Sequence, residues 1–431
     1  MNKEILRLAI PNVLSNISIP LLSTVDTALM GRLSAQHLGA VGIGAMLFNI
    51  IYWNFGFLRM GTTGITAQAY GRKNGVDIIH TLGRVLLLVG ILSSILIVFQ
   101  RPILAVLIPL MNISVEQIPL VREYFFIRIW AAPASIGLFA MMGWFFGMQN
   151  ALIPLLLTLI INVANIGLSY YSVQVLKMGI QGVAWGTVCA QYIGLIGAFF
   201  LFWRNYRTYA AEFNSKLLYE VQALQSFLHI NKDIFIRTIC LTFAFGFFYS
   251  QSASQGAQIL AINVILLQFV NWMSYGIDGF AYASESLVGK YKGAGLNKKL
   301  VKAINLSFVW GAVLALFYSL SYFAFGEYLL AIFTDKEALL LASQPYLIWV
   351  ILFPLLSMAC YIWDGVFIGL TASTAMRQTM LLALGVYFAF FFCFQSVMSN
   401  HYLWAALLVF MVARGGFQWF WYYRFLRAKL Q

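Results

Sequence analysis

The sequence predicts an all-α polytopic membrane protein, with twelve transmembrane helices in two six-helix lobes related by pseudo-two-fold symmetry. Three observations lead there. Hydrophobic residues make up 61% of the 431 residues and charged residues only 10%, against about 25% charge in a soluble domain. The apolar residues fall in long continuous runs. One polar segment divides those runs six and six.

A chain this apolar cannot cover a water-facing surface, so its solvent is lipid. In lipid every backbone N–H and C=O needs an internal partner, which leaves helices or closed barrels. Barrel strands alternate over roughly 10 residues. Runs such as 152–176 and 301–325 are instead continuously apolar, and they reach the ~20 residues with which a helix crosses the bilayer core. The expected spans are 7–30, 40–66, 81–108, 121–147, 152–175, 180–203, 235–256, 259–287, 301–333, 345–370, 378–398 and 402–425. No small-residue cleavage site follows a short apolar core near the start, so the first span is expected to be retained.

Residues 204–232 form the longest polar segment, with Glu212, Lys216, Glu220 and His229 among them. The expected organisation is an N-lobe over 1–203, a cytoplasmic linker over 204–232 with a surface helix at 216–228, and a C-lobe over 233–431. The halves resemble each other. Span four carries Pro133 and then Gly143-Trp-Phe-Phe-Gly147; span ten carries Pro354 and then Gly365-Val-Phe-Ile-Gly369, at an offset of 222. Gly71-Arg72-Lys73 and Gly289-Lys290 end spans two and eight at an offset of 218. An even number of spans per copy makes the copies parallel, related by an axis along the membrane normal.

The net charge is +13. With the N-terminus inside, nineteen of the 27 Lys and Arg fall in inside segments. Six fall outside (Arg32, Arg101, Arg122, Arg128, Lys177 and Lys336), and Arg59 and Arg414 lie within spans. The positive-inside rule then puts both termini in the cytoplasm and the chain, multi-pass, in the plasma (inner) membrane. The basic excess reports topology, so the expected partner is the lipid bilayer and no nucleic acid. Cys189, Cys240, Cys360 and Cys393 sit inside apolar runs and read as packing residues. His37, His80, His229 and His401 are scattered. No zinc-type HExxH, Walker or nucleophile-elbow motif occurs, so no metal and no cofactor is expected, and no enzyme.

Ionisable residues inside spans mark function, because burying one near a bilayer centre costs about 2.5–3.5 kcal/mol even on the lenient insertion scale. Asp26 in span one is the clearest. Protonation removes the cost of burying its carboxylate, so a group charged when facing water and neutral when closed can carry a proton. Its bland alternative is a hydrogen bond to a neighbouring helix. Pro11 can permit a bend in the same span, or can simply be a first-turn proline. Arg59, Asp278, Glu285 and Asp364 each read as a relay group, a substrate counter-ion or half of a structural ion pair. Asn162 and Asn165 in span five and Thr187 in span six can orient Asp26 or bind an ion; such residues also join helices by hydrogen bonds.

Four segments together resemble the multidrug and toxin extrusion family, in its DinF-like branch. They are Ser23-Thr-Val-Asp26-Thr-Ala-Leu-Met-Gly31, the stretch from Phe57 through Arg59 and Gln68 to Gly71, Asp278-Gly-Phe-Ala-Tyr-Ala-Ser-Glu285, and Trp363-Asp364-Gly-Val-Phe-Ile-Gly369. The resemblance implies secondary active efflux of organic cations or amphipathic compounds by alternating access, coupled to inward H⁺ or Na⁺. It implies an ion-coupling site that includes Asp26, Asn165 and Thr187, and a hinge at Pro11. Together with the reading of the spans, the candidate ion-coupling residues are Asp26, Asn162, Asn165 and Thr187, and the candidate substrate or relay residues are Arg59, Gln68, Asp278, Glu285 and Asp364. Two departures point to H⁺ rather than Na⁺ as coupling ion. Ser169 stands where the family often has an acid, and span seven has Gln251 and Gln255 but no acid to pair with Asp364. The expected working unit is a monomer. The competing readings are Na⁺-coupled antiport, a lipid-linked precursor flippase of the same broad fold, and a membrane-embedded enzyme.

Overall fold

The computed structural model describes residues 1–31, 35–111, 113–393 and 399–427; the side chains of 19–31, 35–38 and 426 lie outside that description. Among the described residues eleven helices are long and apolar enough to cross a membrane. They follow α1 (Asn2–Gly31). In order they are α2 (Gly39–Arg72), α3 (Gly75–Val98), α4 (Ile118–Gly147), α5 (Leu152–Val175), α6 (Gly179–Ala210), α7 (Val221–Ser254), α8 (Ala257–Gly293), α9 (Asn297–Leu330), α10 (Glu337–Gly369), α11 (Ser373–Cys393) and α12 (Asn400–Phe425). No strand occurs among the described residues.

Several helix ends are written in the sequence. The Asn74 side chain accepts from the Asp77 amide and caps α3; the Asn150 side chain accepts from the Leu152 and Ile153 amides and starts α5. α3 stops at Val98, and a separate short helix, Gln100–Leu110, takes up the rest of the expected third span.

By contact the chain divides into two units: an N-unit, Leu14–Leu228, and a C-unit, Met1–Val13 with His229–Gln431. The boundaries fall inside α1 and α7. The first thirteen residues join the C-unit for two reasons. Gly279 on α8 lets the α1 backbone come close, because a Cβ there would lie 3.0 Å from Val13 N and 3.1 Å from Ala9 O. Near the helix start, Glu4 accepts from Tyr291 Oη at 3.0 Å and pairs with Lys290 Nζ at 3.3 Å. Residues 204–228 join the N-unit because α3 holds them. Arg84 Nη2 donates to Leu217 O at 2.8 Å, and the buried His80 ring lies between Val76 O and Asn214 O. The surface helix expected over 216–228 is only one turn, Ser215–Leu218, and residues 221–228 are already α7.

The repeat is structural, and each copy builds it within its own unit. A Cβ on Gly143 would sit within 3.0 Å of Arg59 O, Cα and C; one on Gly365 would sit within 3.1 Å of the same atoms of Ala281. Gly147 packs on Ala67 N, and Gly369 on Gly289 N. The helix caps repeat too. Lys73 and Gly295, then Gln149 and Thr371, are left-handed residues closing α2, α8, α4 and α10. Each of these pairs is offset by 222. The 218 offset between Gly71 and Gly289 is therefore a false register, since Gly289 answers to Ala67. Gly365→Ala should overpack α8 against α10 and destabilise by about 1–3 kcal/mol. Gly385→Ala, with nothing within 4 Å, should leave thermal unfolding in detergent unchanged; equal melting of the two variants would contradict this packing.

Candidate functional site

In the N-unit, α5 and α6 approach closely because Gly182, Gly186 and Gly194 leave room. A Cβ on Gly186 would meet Ser169 Oγ at 2.5 Å and Ser169 N at 2.8 Å. That approach presses three polar side chains together. Asn165, fully buried, donates from Nδ2 to Thr187 Oγ1 at 2.9 Å, and Thr187 Oγ1 donates to Val183 O at 3.0 Å. Asn165 Oδ1 and Ser169 Oγ are buried with no hydrogen-bond partner among the described residues. A buried polar group without a partner is costly, so these two acceptors mark a place where something polar belongs.

Helix α1 is laced to α5. Ser15 Oγ and Thr158 Oγ1 bond at 2.9 Å, and Asn162 Nδ2 donates to Ser18 O at 3.2 Å. The structure thus sets Asn162 against α1, and Asn165, one turn further along α5, against Thr187 of α6. The Asp26 side chain lies outside the described residues. Ser169 is the member that sequence reasoning missed; read only as a lost acid, it is a buried hydroxyl beside the Asn165 amide. Pro11 lies in the interior of an unbroken helix, not in a first turn. It withholds the donor that the Arg7 carbonyl would otherwise receive. Arg59 is buried with its guanidinium 5.9 Å from the Phe146 ring centroid, and its carbonyl accepts from Thr63 Oγ1 at 2.8 Å. Gln68, half-buried, lies on the same helix.

Asp278, Glu285 and Asp364 belong to the C-unit. Asp364 is clamped: Oδ2 accepts from Arg237 Nη2 and from Arg414 Nη2 at 2.8 Å, and Oδ1 accepts from Gln418 Nε2 at 2.6 Å. All four residues are buried. Arg237, which the topology count placed in an inside segment, is instead within α7 as a counter-ion. Asp278, half-buried, lies within electrostatic reach of Tyr275, Cys360 and Tyr361, and Glu285 is buried beneath Gly369. α7 also holds an acid after all, because it begins earlier than the expected span. Asp233, fully buried, accepts from Arg377 Nη1 at 2.6 Å, Thr374 Oγ1 at 2.8 Å and Ser373 Oγ at 3.1 Å. It serves α11 and not Asp364.

A helical membrane protein built as two copies of one six-helix unit, with polar sites buried among its helices, has the architecture of a secondary transporter. Solved structures share it. An outward-facing multidrug resistance MATE family transporter of the MOP superfamily superposes with a TM-score of 0.85 at 19% identity, covering 99% of this chain and 96% of that one. A MOP superfamily transporter from Pyrococcus furiosus gives 0.83 at 18%, with the same coverage. The MatE family model matches twice, over 11–171 and 234–394. DNA damage-inducible protein F of Escherichia coli strain K12 is 33% identical over 415 residues, covering 96% of this chain and 90% of that protein. Protein DETOXIFICATION 44, chloroplastic, of Arabidopsis thaliana is 26% identical, covering 95% and 80%. The chain belongs to the MatE family of multidrug and toxin extrusion transporters.

Breaking a buried ion pair by removing one partner costs about 3–5 kcal/mol. Asp364→Asn strands two guanidiniums and should lower thermal stability by that order; an unchanged unfolding profile would show that the clamp contributes nothing.

Proposed function

We propose that this chain exports cationic or amphipathic compounds by alternating access in exchange for inward H⁺, with Asp26 as the proton-carrying group. The observation that carries the reading is the α1–α5 register. Ser15 meets Thr158 and Asn162 meets Ser18 at separations of 143 and 144 residues. Continued two turns further, that register would set position 26 level with 169, near the Asn165 and Ser169 oxygens that have no hydrogen-bond partner among the described residues. A protonated carboxyl can donate to one such acceptor, and an ionised one can be reached by water when the site opens.

Proton coupling is favoured over Na⁺ by the poverty of this oxygen set: two amides, two hydroxyls and one carboxylate, of which the Thr187 hydroxyl is already engaged on both sides and the Asn162 amide is tied to Ser18. In the C-unit the Asp364 carboxylate is already filled by guanidiniums. Pro11, inside α1, is the hinge of this scheme. Inward movement of one proton supplies about 2.3 kcal/mol per 100 mV, with any pH gradient in addition. The chain works as a monomer in the plasma (inner) membrane with both termini cytoplasmic. Two repeats in one polypeptide support the first point, and the Lys and Arg of its loops support the others.

In proteoliposomes under an imposed pH gradient and without Na⁺, the wild-type chain should drive efflux of a lipophilic dye cation. Asp26→Asn should abolish dye-driven H⁺ movement while keeping the wild-type elution profile. Coupling that persists in the variant, or that requires Na⁺, would overturn the reading.

A further inference from the structure

Another buried cation sits elsewhere in the N-unit. Arg128, on α4, is 9% exposed, although the topology count treated it as an outside loop residue. Its guanidinium lies over two rings of α2, 5.3 Å from the Phe48 centroid and 5.6 Å from that of Tyr52. Among the described residues no carboxylate forms an ion pair with it. Glu123, the nearest acid along its own helix, accepts from Gln181, and Arg122 is exposed. Tyr192, within reach of Tyr52, donates to Trp130 O at 2.9 Å.

Three polar atoms in this region are buried and without hydrogen-bond partners among the described residues: Arg128 Nη1, Tyr52 Oη and Ser135 Oγ. The Tyr52 hydroxyl adjoins both the Arg128 guanidinium and the Ser135 hydroxyl, each a weak hydrogen-bond neighbour whose geometry falls short of a full bond. Ser135 stands seven residues after Arg128, on the same helix face. Ring faces attract the guanidinium, but they accept none of its in-plane N–H bonds, and a buried charge without a counter-ion is unfavourable. The fold does not require the charge. The corresponding stretch of the second copy, 348–351, reads Ile-Trp-Val-Ile.

We propose that Arg128, Tyr52 and Ser135 form a binding site for one monoanionic group. One guanidinium edge and two hydroxyls, brought together about Tyr52, offer three donors, a set that suits a carboxylate or a halide and repels a cation. The site shares no residue with the Asn165 and Thr187 pair and does not depend on the coupling ion. Its occupant is either a free small anion or the carboxylate of an amphipathic cargo.

The test is thermal unfolding of the purified full chain in nanodiscs. Sodium acetate or sodium chloride would be titrated at constant Na⁺, with the bulky sulfonate of sodium HEPES as replacement anion. The expected result is a saturable rise in Tm for wild type, absent in Arg128→Met. Tyr52→Phe and Ser135→Ala, which remove one hydroxyl each, should raise the half-saturating concentration about tenfold, the loss expected for one hydrogen bond to a charged partner. An equal response to chloride assigns the site to a free anion, and a response to acetate alone assigns it to a carboxylate-bearing cargo. No saturable response in wild type, meaning that water alone satisfies Arg128, overturns the proposal. So does a wild-type half-saturation in both Tyr52→Phe and Ser135→Ala, variants mild enough to fold whatever happens to Arg128→Met.

Discussion

Two helices in lipid gain nothing from squeezing out water, so they hold together by fit. The fit on which this molecule rests is backbone against backbone, at Gly143 over Arg59 and at Gly365 over Ala281. Glycine is required at these two positions because any Cβ would occupy the space of a carbonyl. That contact fixes α2 to α4 and α8 to α10, and the same four helices share left-handed caps. The polar sites hang on frames set in this way. Gly186 performs the same service for α5 and α6, and so brings Asn165, Ser169 and Thr187 together.

The two copies share this frame but not the chemistry mounted on it. Arg59 answers to Ala281, Thr63 to Glu285, and Met142 to Asp364. Buried charge costs free energy wherever it sits, so a scaffold that tolerates an alanine at one copy does not need an arginine at the other. The asymmetry separates what the fold demands from what was added to it. The N-unit carries a sparse set of neutral acceptors. The C-unit carries an acid neutralised on the spot by two guanidiniums. A carboxylate held in that way is fixed in place.

Much of the fold was legible in sequence because lipid imposes a simple rule: an apolar run of about 20 residues is a helix. The Gly-x-Phe-x-Gly repeat was legible for the same reason that it matters, since glycine spacing records close approach. What stayed hidden was pairing. Arg237 lies near the end of a polar linker and looks like a topological charge, and only the packing of α7 against α10 and α12 turns it toward Asp364. Arg128 was hidden similarly, because a short loop and a 3₁₀ turn blur where α4 begins. Ser169 was overlooked because a hydroxyl in an apolar helix commonly bonds its own backbone, and here it does not.

One difference between the copies has a mechanical meaning. The first matched stretch opens at Pro11 and the second at Ile234, next to Asp233. The proline deletes a rung from the hydrogen-bond ladder of α1, whereas Asp233 rivets α7 to the first turn of α11 through Ser373, Thr374 and Arg377. The two counterpart helices therefore differ in compliance: α1 is a soft spring and α7 a stiff strut. Of the two, α1 is the one with fewer bonds to break on bending.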